Sequence, residues 1–223
     1  MSIYLGDILI DRNRKRRFKE DKLLHKTIKT YSNNTISSIR SYAFYNCASL
    51  TSINASQITF IGEAAFGHCS ALTSINLPQI TSLPRGVFVD CINLNQINIP
   101  LVTTIGSATF AYCSQLRSIS FPSCLTIGSN AFHSCIRLST AYLPKITSIA
   151  SQGFSNCVNL ISLNLTGVSA VPTITSGVFY STPINGYSTV AGQYGSIYVP
   201  ASLYNAFKTA QYWSSMSARM ISV

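Results

Sequence analysis

The residues in this chain with the most visible chemical potential are its seven cysteines. Six of them, Cys47, Cys69, Cys91, Cys113, Cys135 and Cys157, follow one another at intervals of 22 residues. A zinc site needs ligand pairs at short spacing, in the pattern C-x₂₋₄-C, so that one turn can offer two thiolates to one ion. No such pair occurs. Disulfides fit no better, because in a stack of equivalent coils each of the six has an equivalent neighbour on both sides, and pairing would divide the row arbitrarily. The expectation is a row of buried thiols at a repeated turn, each a small hydrophobe with a weak donor. Cys124 stands apart, in the slot that other periods fill with Ile80, Val102 and Ile146, and reads as a core substitution.

Catalytic groups are sparse. Among three histidines, His68 shares with Asp90 the slot one residue before the cysteine, in successive periods. The two are therefore expected about one strand spacing, ~4.8 Å, apart. Tyr112 and Ser134 continue that row. A triad needs its base between nucleophile and acid, whereas this order puts His68 at one end and Ser134 three periods away. A surface hydrogen-bonded pair is the expectation. There is no Gly-rich phosphate loop and no carboxylate pair, so the chain reads as a protein without enzymatic activity, cofactor or metal.

Two features could bind a partner. One is a polar row, Ser74 and Asn76, Gln96 and Asn98, Ser118 and Ser120, Thr140 and Tyr142, extended at its ends by Ser52, Asn54, Ser162 and Asn164. A flat row of hydroxyls and amides can hydrogen-bond a glycan or an extended peptide, and Tyr142 adds a ring for stacking; the competing reading is a merely soluble, β-compatible face. The other is a basic arm carrying Arg12, Arg14, Lys15, Arg16, Arg17 and Lys19. Clustered positive charge gains from counterion release on a polyanion, but the arm lacks the interleaved aromatics or motif of a nucleic-acid binder. It reads equally as a solvated tether that docks the chain to a larger assembly. The sequons at Asn33, Asn54 and Asn164 are expected by chance in a chain this rich in Asn, Ser and Thr.

The elements that must position these residues follow from the period. Phenylalanine recurs three residues before each cysteine of the row, from Phe44 to Phe154, and leucine three residues after it, from Leu50 to Leu160. A fixed period in the low twenties is the signature of a solenoid. Within one period, Ile75 and Leu77 alternate with polar Ser74 and Asn76, a half-buried strand. Pro78 ends it, as Pro100, Pro122 and Pro144 do in later periods, because proline cannot donate to a ladder. A second extended piece follows at 80–83, then a turn often bearing glycine (Gly62, Gly106, Gly128), then a short helical turn carrying Ala-Phe. The fold expected is an α/β solenoid, a capped stack of about seven 22-residue coils. Residues 1–24 form the arm, and 25–182 the repeat, opening with a degenerate coil in which His25, Ile28 and Tyr31 hold the register. Residues 183–223 form a cap in which 195–200 are a strand, Ser202 caps a helix with Leu203, Ala206, Phe207 and Ala210 on one face, and Trp213 packs over the stack end.

Composition agrees. The chain is 47% hydrophobic and only 10% charged, so its solubility rests on hydroxyls and amides. Of the net charge of +10, half sits in residues 1–35, where nine Lys or Arg meet four acids (9 − 4 = +5). No run approaches the ~18 apolar residues of a membrane span. The apolar segments at 3–10 precede the basic cluster, the reverse of a secretory signal.

The frame Leu-x-x-Ile-x-Leu-Pro … Ile-x-x-Ile-Gly-x-x-Ala-Phe-x-x-Cys, over roughly residues 25–182, resembles the BspA-like (Treponema pallidum-type) leucine-rich repeats. Ile197-Tyr198-Val199-Pro200 with the helix to Trp213 is similar to the cap of such proteins in gut bacteria and their phages, and Ile3-Tyr4-Leu5-Gly6 is similar to the start of phage tail-region proteins. The resemblance implies a non-enzymatic binding or adhesive repeat protein whose partner is a protein of a larger assembly or a host-surface protein or glycan. The setting it implies is a phage virion, tail-region or capsid-associated, or the cytoplasm of the producing cell. A bacterial cell-surface adhesin is the alternative, and polyanion or nucleic-acid binding by the arm is the weaker one.

Overall fold

A computed structural model describes residues 29–32, 35–187 and 194–223 of the 223-residue chain. The arm residues Arg12 to Lys19, and His25 and Ile28 of the first coil, lie outside the described residues.

Each period places two short strands. The longer ones are β1 (Thr30–Ser32), β3 (Ser52–Asn54), β5 (Ser74–Asn76), β7 (Gln96–Asn98), β9 (Ser118–Ser120), β11 (Thr140–Tyr142) and β13 (Ser162–Asn164). The two-residue strands between them are β2 (Ser38–Ile39), β4 (Phe60–Ile61), β6 (Ser82–Leu83), β8 (Thr104–Ile105), β10 (Thr126–Ile127), β12 (Ser148–Ile149) and β14 (Thr173–Ile174). Pairing is parallel with like opposite like: Ser52, Ile53 and Asn54 face Ser74, Ile75 and Asn76. A 22-residue offset therefore converts each inward position into a column of equivalent, mostly like side chains.

The phenylalanine column is the clearest product. Phe44, Phe66, Phe88, Phe110, Phe132, Phe154 and Phe179 stack with centroid separations of 5.0 to 5.8 Å and interplanar angles of 6 to 13°. Tilted rings close both ends, Tyr31 against Phe44 at 60° and Trp213 against Phe179 at 50°. Each such pair contributes about 0.5–1.5 kcal/mol beyond area burial.

The segment carrying Ala-Phe is not the helical turn expected from sequence. Left-handed residues recur five and one residues before the cysteine: Ala64 and His68, Gly86 and Asp90, Ala108 and Tyr112, Asn130 and Ser134, with φ between 50 and 64°. They close consecutive tight turns, as where Cys69 N–H donates to Phe66 O at 3.3 Å, the left-handed residue taking the third place as in a type II turn. Alternate N–H groups then donate to the next coil, Ala64 to Arg85 O, Phe66 to Val87 O and His68 to Val89 O. Those donors are unavailable to a helix. The only α-helix among the described residues is in the cap.

Glycine at the turn answers to closeness. A Cβ on Gly106 would stand 2.7 Å from the Pro84 carbonyl carbon, and one on Gly128 would stand 2.6 Å from Ser107 N. Pro84 occupies the same slot one coil earlier and has no N–H, whereas Gly62 donates to Ile39 O and Gly106 to Leu83 O. The short-strand ladder is interrupted there, between β4 and β6.

The long-strand ladder is interrupted as well, between β7 and β9. Ile97, central in β7, is only half-buried, while its counterparts Ile53, Ile75 and Ile119 are buried. Immediately after β9, Phe121 takes the slot of Leu77 and Ile99, its ring 6.3 Å from Phe110 and 6.2 Å from Phe132. Cys124 replaces the Ile80 or Val102 of other coils, so a larger residue at one position is matched by a smaller one nearby, the exchange cores tolerate best.

At the C-terminal end β15 (Ser196–Val199) joins β13, pairing Ser162 with Ser196, and β16 (Met220–Ser222) joins β15. β15 makes an eighth long strand in the stack. The helix α1 spans Tyr204–Thr209 and is preceded by a 3₁₀ turn at Ala201–Leu203, so Ser202 lies within that turn and caps nothing. Phe207 is buried and Leu203 and Ala210 pack on the core, but Ala206 faces solvent. Trp213 is buried as expected, its Nε1–H donating to Pro172 O at 2.7 Å. No described helix is long and apolar enough to cross a membrane.

Candidate binding face

The cysteine row resolves into a hydrogen-bonding device. Each Phe carbonyl accepts the N–H of its own coil's cysteine and the thiol of the next: Phe44 O takes Cys47 N–H at 3.1 Å and Cys69 Sγ–H at 3.1 Å. Cys91, Cys113, Cys135 and Cys157 repeat the thiol contact at 3.1 to 3.3 Å. A carbonyl has two lone pairs, and a buried thiol supplies the second donor. Thr182, in the cysteine slot of the last coil, turns its hydroxyl to Phe179 O of the same coil at 2.7 Å. All seven thiols are buried and unpaired. Burial pushes Cys47 up to about 11 and Cys91 and Cys124 up to about 12. Cys69, Cys113, Cys135 and Cys157 are raised further, first by burial and, except at Cys135, also by neighbouring thiols. A proton-bearing thiol is what the contact requires. Among the described residues no group of three or more His, Cys, Asp or Glu is placed to hold a metal ion.

His68 and Asp90 meet as their shared slot predicts, Nδ1 to Oδ2 at 3.3 Å, with side chains 42% and 35% exposed. Such an open pair is worth about 0–1 kcal/mol. Tyr45 stands edge-on to His68 at 5.0 Å. A second contact was not foreseen: His133 Nδ1 lies 2.7 Å from Ser155 Oγ, and that hydroxyl donates to Gln152 O at 3.1 Å. The serine hydroxyl thus joins the His133 ring to the Gln152 carbonyl in one local contact. Sequence held the signal, since residues 22 apart share a slot in neighbouring coils and come together.

The interruption between β7 and β9 divides the candidate face. Ser74, Asn76, Gln96 and Asn98 lie on one sheet, and Ser118, Ser120, Thr140 and Tyr142 on the next. In the first, the amides bond to each other: Asn76 Nδ2 donates to Asn54 Oδ1 at 2.8 Å and Asn98 Nδ2 to Asn76 Oδ1 at 2.6 Å, while Ser74 and Asn76 are half-buried. In the second, Ser118, Ser120, Thr140 and Tyr142 are all exposed and directly paired, Ser118 beside Thr140 and Ser120 beside Tyr142. None of the four makes a side-chain hydrogen bond to a described residue. Three exposed cations lie close in sequence: Arg117 immediately before β9, Arg137 three residues before β11 and Lys145 three residues after it.

Parallel coils with a leucine, a phenylalanine and a strand in each turn define a leucine-rich-repeat solenoid. The chain belongs to the BspA type leucine-rich repeat family, whose pattern matches residues 17–101 and 81–197 in six copies. It is similar to the crystal structure of a T. pallidum leucine-rich repeat protein, at 25% identity and a TM-score of 0.61 over 66% of this chain and 73% of that one. It is also similar to a leucine-rich repeat protein from Bacteroides ovatus, at 21% identity and a TM-score of 0.48 over 83% of this chain and 59% of that one. No curated protein matches the chain.

Proposed function

We propose that this protein is a non-enzymatic binding module that engages its partner through the C-terminal half of the long-strand face. The observation that carries this is the grouping of Ser118, Ser120, Thr140 and Tyr142 on two adjacent strands, exposed and with their polar atoms uncommitted. A stacked core holds them in fixed register, so little ordering opposes binding. The self-bonded Asn76 and Asn98 serve the sheet first and a partner second. The test is a binding screen of the intact protein against immobilised glycans and host-surface proteins. Thr140→Ala combined with Tyr142→Ala should abolish the hit, while Ser74→Ala with Asn98→Ala leaves it. Equal loss from both pairs would sink the assignment.

Two settings suit such a module. In a phage particle, residues 1–24 with Arg14 to Arg17 tether the repeat to the virion and the face meets the host, a reading supported by the resemblance of Ile3-Tyr4-Leu5-Gly6 to tail-region proteins. On a bacterial surface the same face acts as an adhesin. Neutralising the arm charges separates the two, since only the first requires the arm for incorporation into particles.

A further inference from the structure

No Asp or Glu follows Asp90 in the sequence. Residues 91–223 therefore hold five Lys or Arg (Arg117, Arg137, Lys145, Lys208, Arg219) and no side-chain carboxylate. Three of those five, Arg117, Arg137 and Lys145, stand within three residues of the ends of β9 and β11. Among the described residues none of Arg117, Arg137 and Lys145 has a carboxylate partner; Arg137 bonds through Nη1 to the Gln115 amide oxygen at 2.7 Å, which holds its guanidinium in place. The arrangement is a hydroxyl-bearing surface with a 40% exposed tyrosine ring, cations at both ends of its strands and no acid to neutralise them.

Resting on the strand-face reading, we propose that the ligand of this face is an anionic glycan, a polysaccharide bearing carboxylate or sulfate groups. Charge complementarity requires the anion, and the guanidinium fork of Arg117 and Arg137 suits an oxyanion's geometry. The sheet selects glycan over acidic peptide. The backbone groups of β11 and β13 are used in pairing on both sides, and only the β9 edge lies outside the ladder, so an extended peptide lying across Thr140 and Tyr142 finds no main-chain partners and forfeits the bonds that drive strand addition. A saccharide presents hydroxyls along its length to Ser118, Ser120 and Thr140, and an apolar ring face to Tyr142. The coils repeat at about the ordinary strand spacing of ~4.8 Å, so the site is a ladder suited to a polymer.

The experiment measures binding of the full-length protein to polygalacturonate, dextran sulfate, unmodified dextran and polyglutamate. The two anionic glycans should bind, with Arg117→Gln plus Arg137→Gln weakening both by about tenfold or more, and Tyr142→Ala doing the same. All three residues are exposed, so these variants keep the fold. Neutralising Arg14, Lys15, Arg16 and Arg17 to Gln should change affinity by less than about twofold, since the anion is assigned to Arg117 and Arg137 and the arm has no part in it. Binding of polyglutamate as tight as of polygalacturonate, loss of binding on neutralising the arm, or failure of both anionic glycans to bind would each overturn the proposal. Dextran bound as well as dextran sulfate, with Tyr142→Ala still defective, would overturn the anionic ligand while leaving the strand-face reading standing.

Discussion

Raising the pH should unfold this protein well before its backbone chemistry is at risk, and the cysteine row sets the size of the effect. Each thiol is buried, and every member of the row from Cys69 to Cys157 donates its proton to a carbonyl of the preceding coil. Burial raises the folded pKa of Cys47 to about 11, that of Cys91 and Cys124 to about 12, and the other four further. In the unfolded chain each titrates near the ordinary 9.0. A folded pKa above the unfolded one means that the unfolded state gives up protons first. The stabilisation is then complete below pH 9 and is lost as pH rises from 9 toward 11 to 12. At pH 9 the loss is about 0.4 kcal/mol per thiol, or about 3 for all seven; at pH 10 it is about 1.4 each, on the order of 10 in total. A typical domain's whole stability is about 5–15 kcal/mol, so the second figure is enough to unfold one. Tyr31, raised to about 12 by burial, adds in the same direction. Urea denaturation in reducing buffer at pH 7, 8, 9 and 10, followed by far-UV circular dichroism, should show the midpoint fall steeply above pH 9. A midpoint flat from pH 7 to 10, or thiolate absorbance in the native protein at pH 9, would refute the buried, proton-donating row.

Phe110→Ala removes a ring stacked on Phe88, Phe132 and Phe121 and should cost about 3–5 kcal/mol by cavity formation, read as a lower urea midpoint; Phe60→Ala, at an exposed site, should cost almost nothing. Gly106→Ala drives a Cβ to 2.7 Å from the Pro84 carbonyl carbon and should destabilise by about 1–3 kcal/mol, although alanine favours most other sites over glycine. Trp213→Phe deletes the bond to Pro172 O and should cost about 1–3 kcal/mol, with hydrogen exchange accelerating first in β15 and β16. Native cysteines should resist a thiol reagent at pH 7.5 and all react in denaturant; rapid labelling of several in the folded state would show that the row is open.

The architecture was legible because a strict period leaves little freedom. Once Phe, Cys and Leu recur at 22 residues, parallel strands with that offset set like on like, and the aromatic spine, the thiol row and the His68–Asp90 contact follow. The cap was half legible: an alternating run betrays β15, but β16, with Ile221 and Ser222 exposed, carries no distinctive pattern. Ser202 looked like a helix cap because its residue type is right. The helix instead begins two residues later, after a 3₁₀ turn.

What sequence alone determined, then, is the repeat, its register and its inward columns, since these depend on spacing and hydrophobicity, which are local and additive. Tertiary structure decided where the hydrogen bonds go. The Ala-Phe segment turns through left-handed residues because its N–H groups are taken by the next coil, a partner no local propensity can see. Five thiols of the row, from Cys69 to Cys157, became donors because the preceding coil places a half-satisfied Phe carbonyl against each. The polar row, uniform in sequence, was split between β7 and β9, beside the larger ring of Phe121. One half of it bonds to itself through its asparagines, and the other half presents bare hydroxyls, Tyr142 and the unpaired cations to solvent.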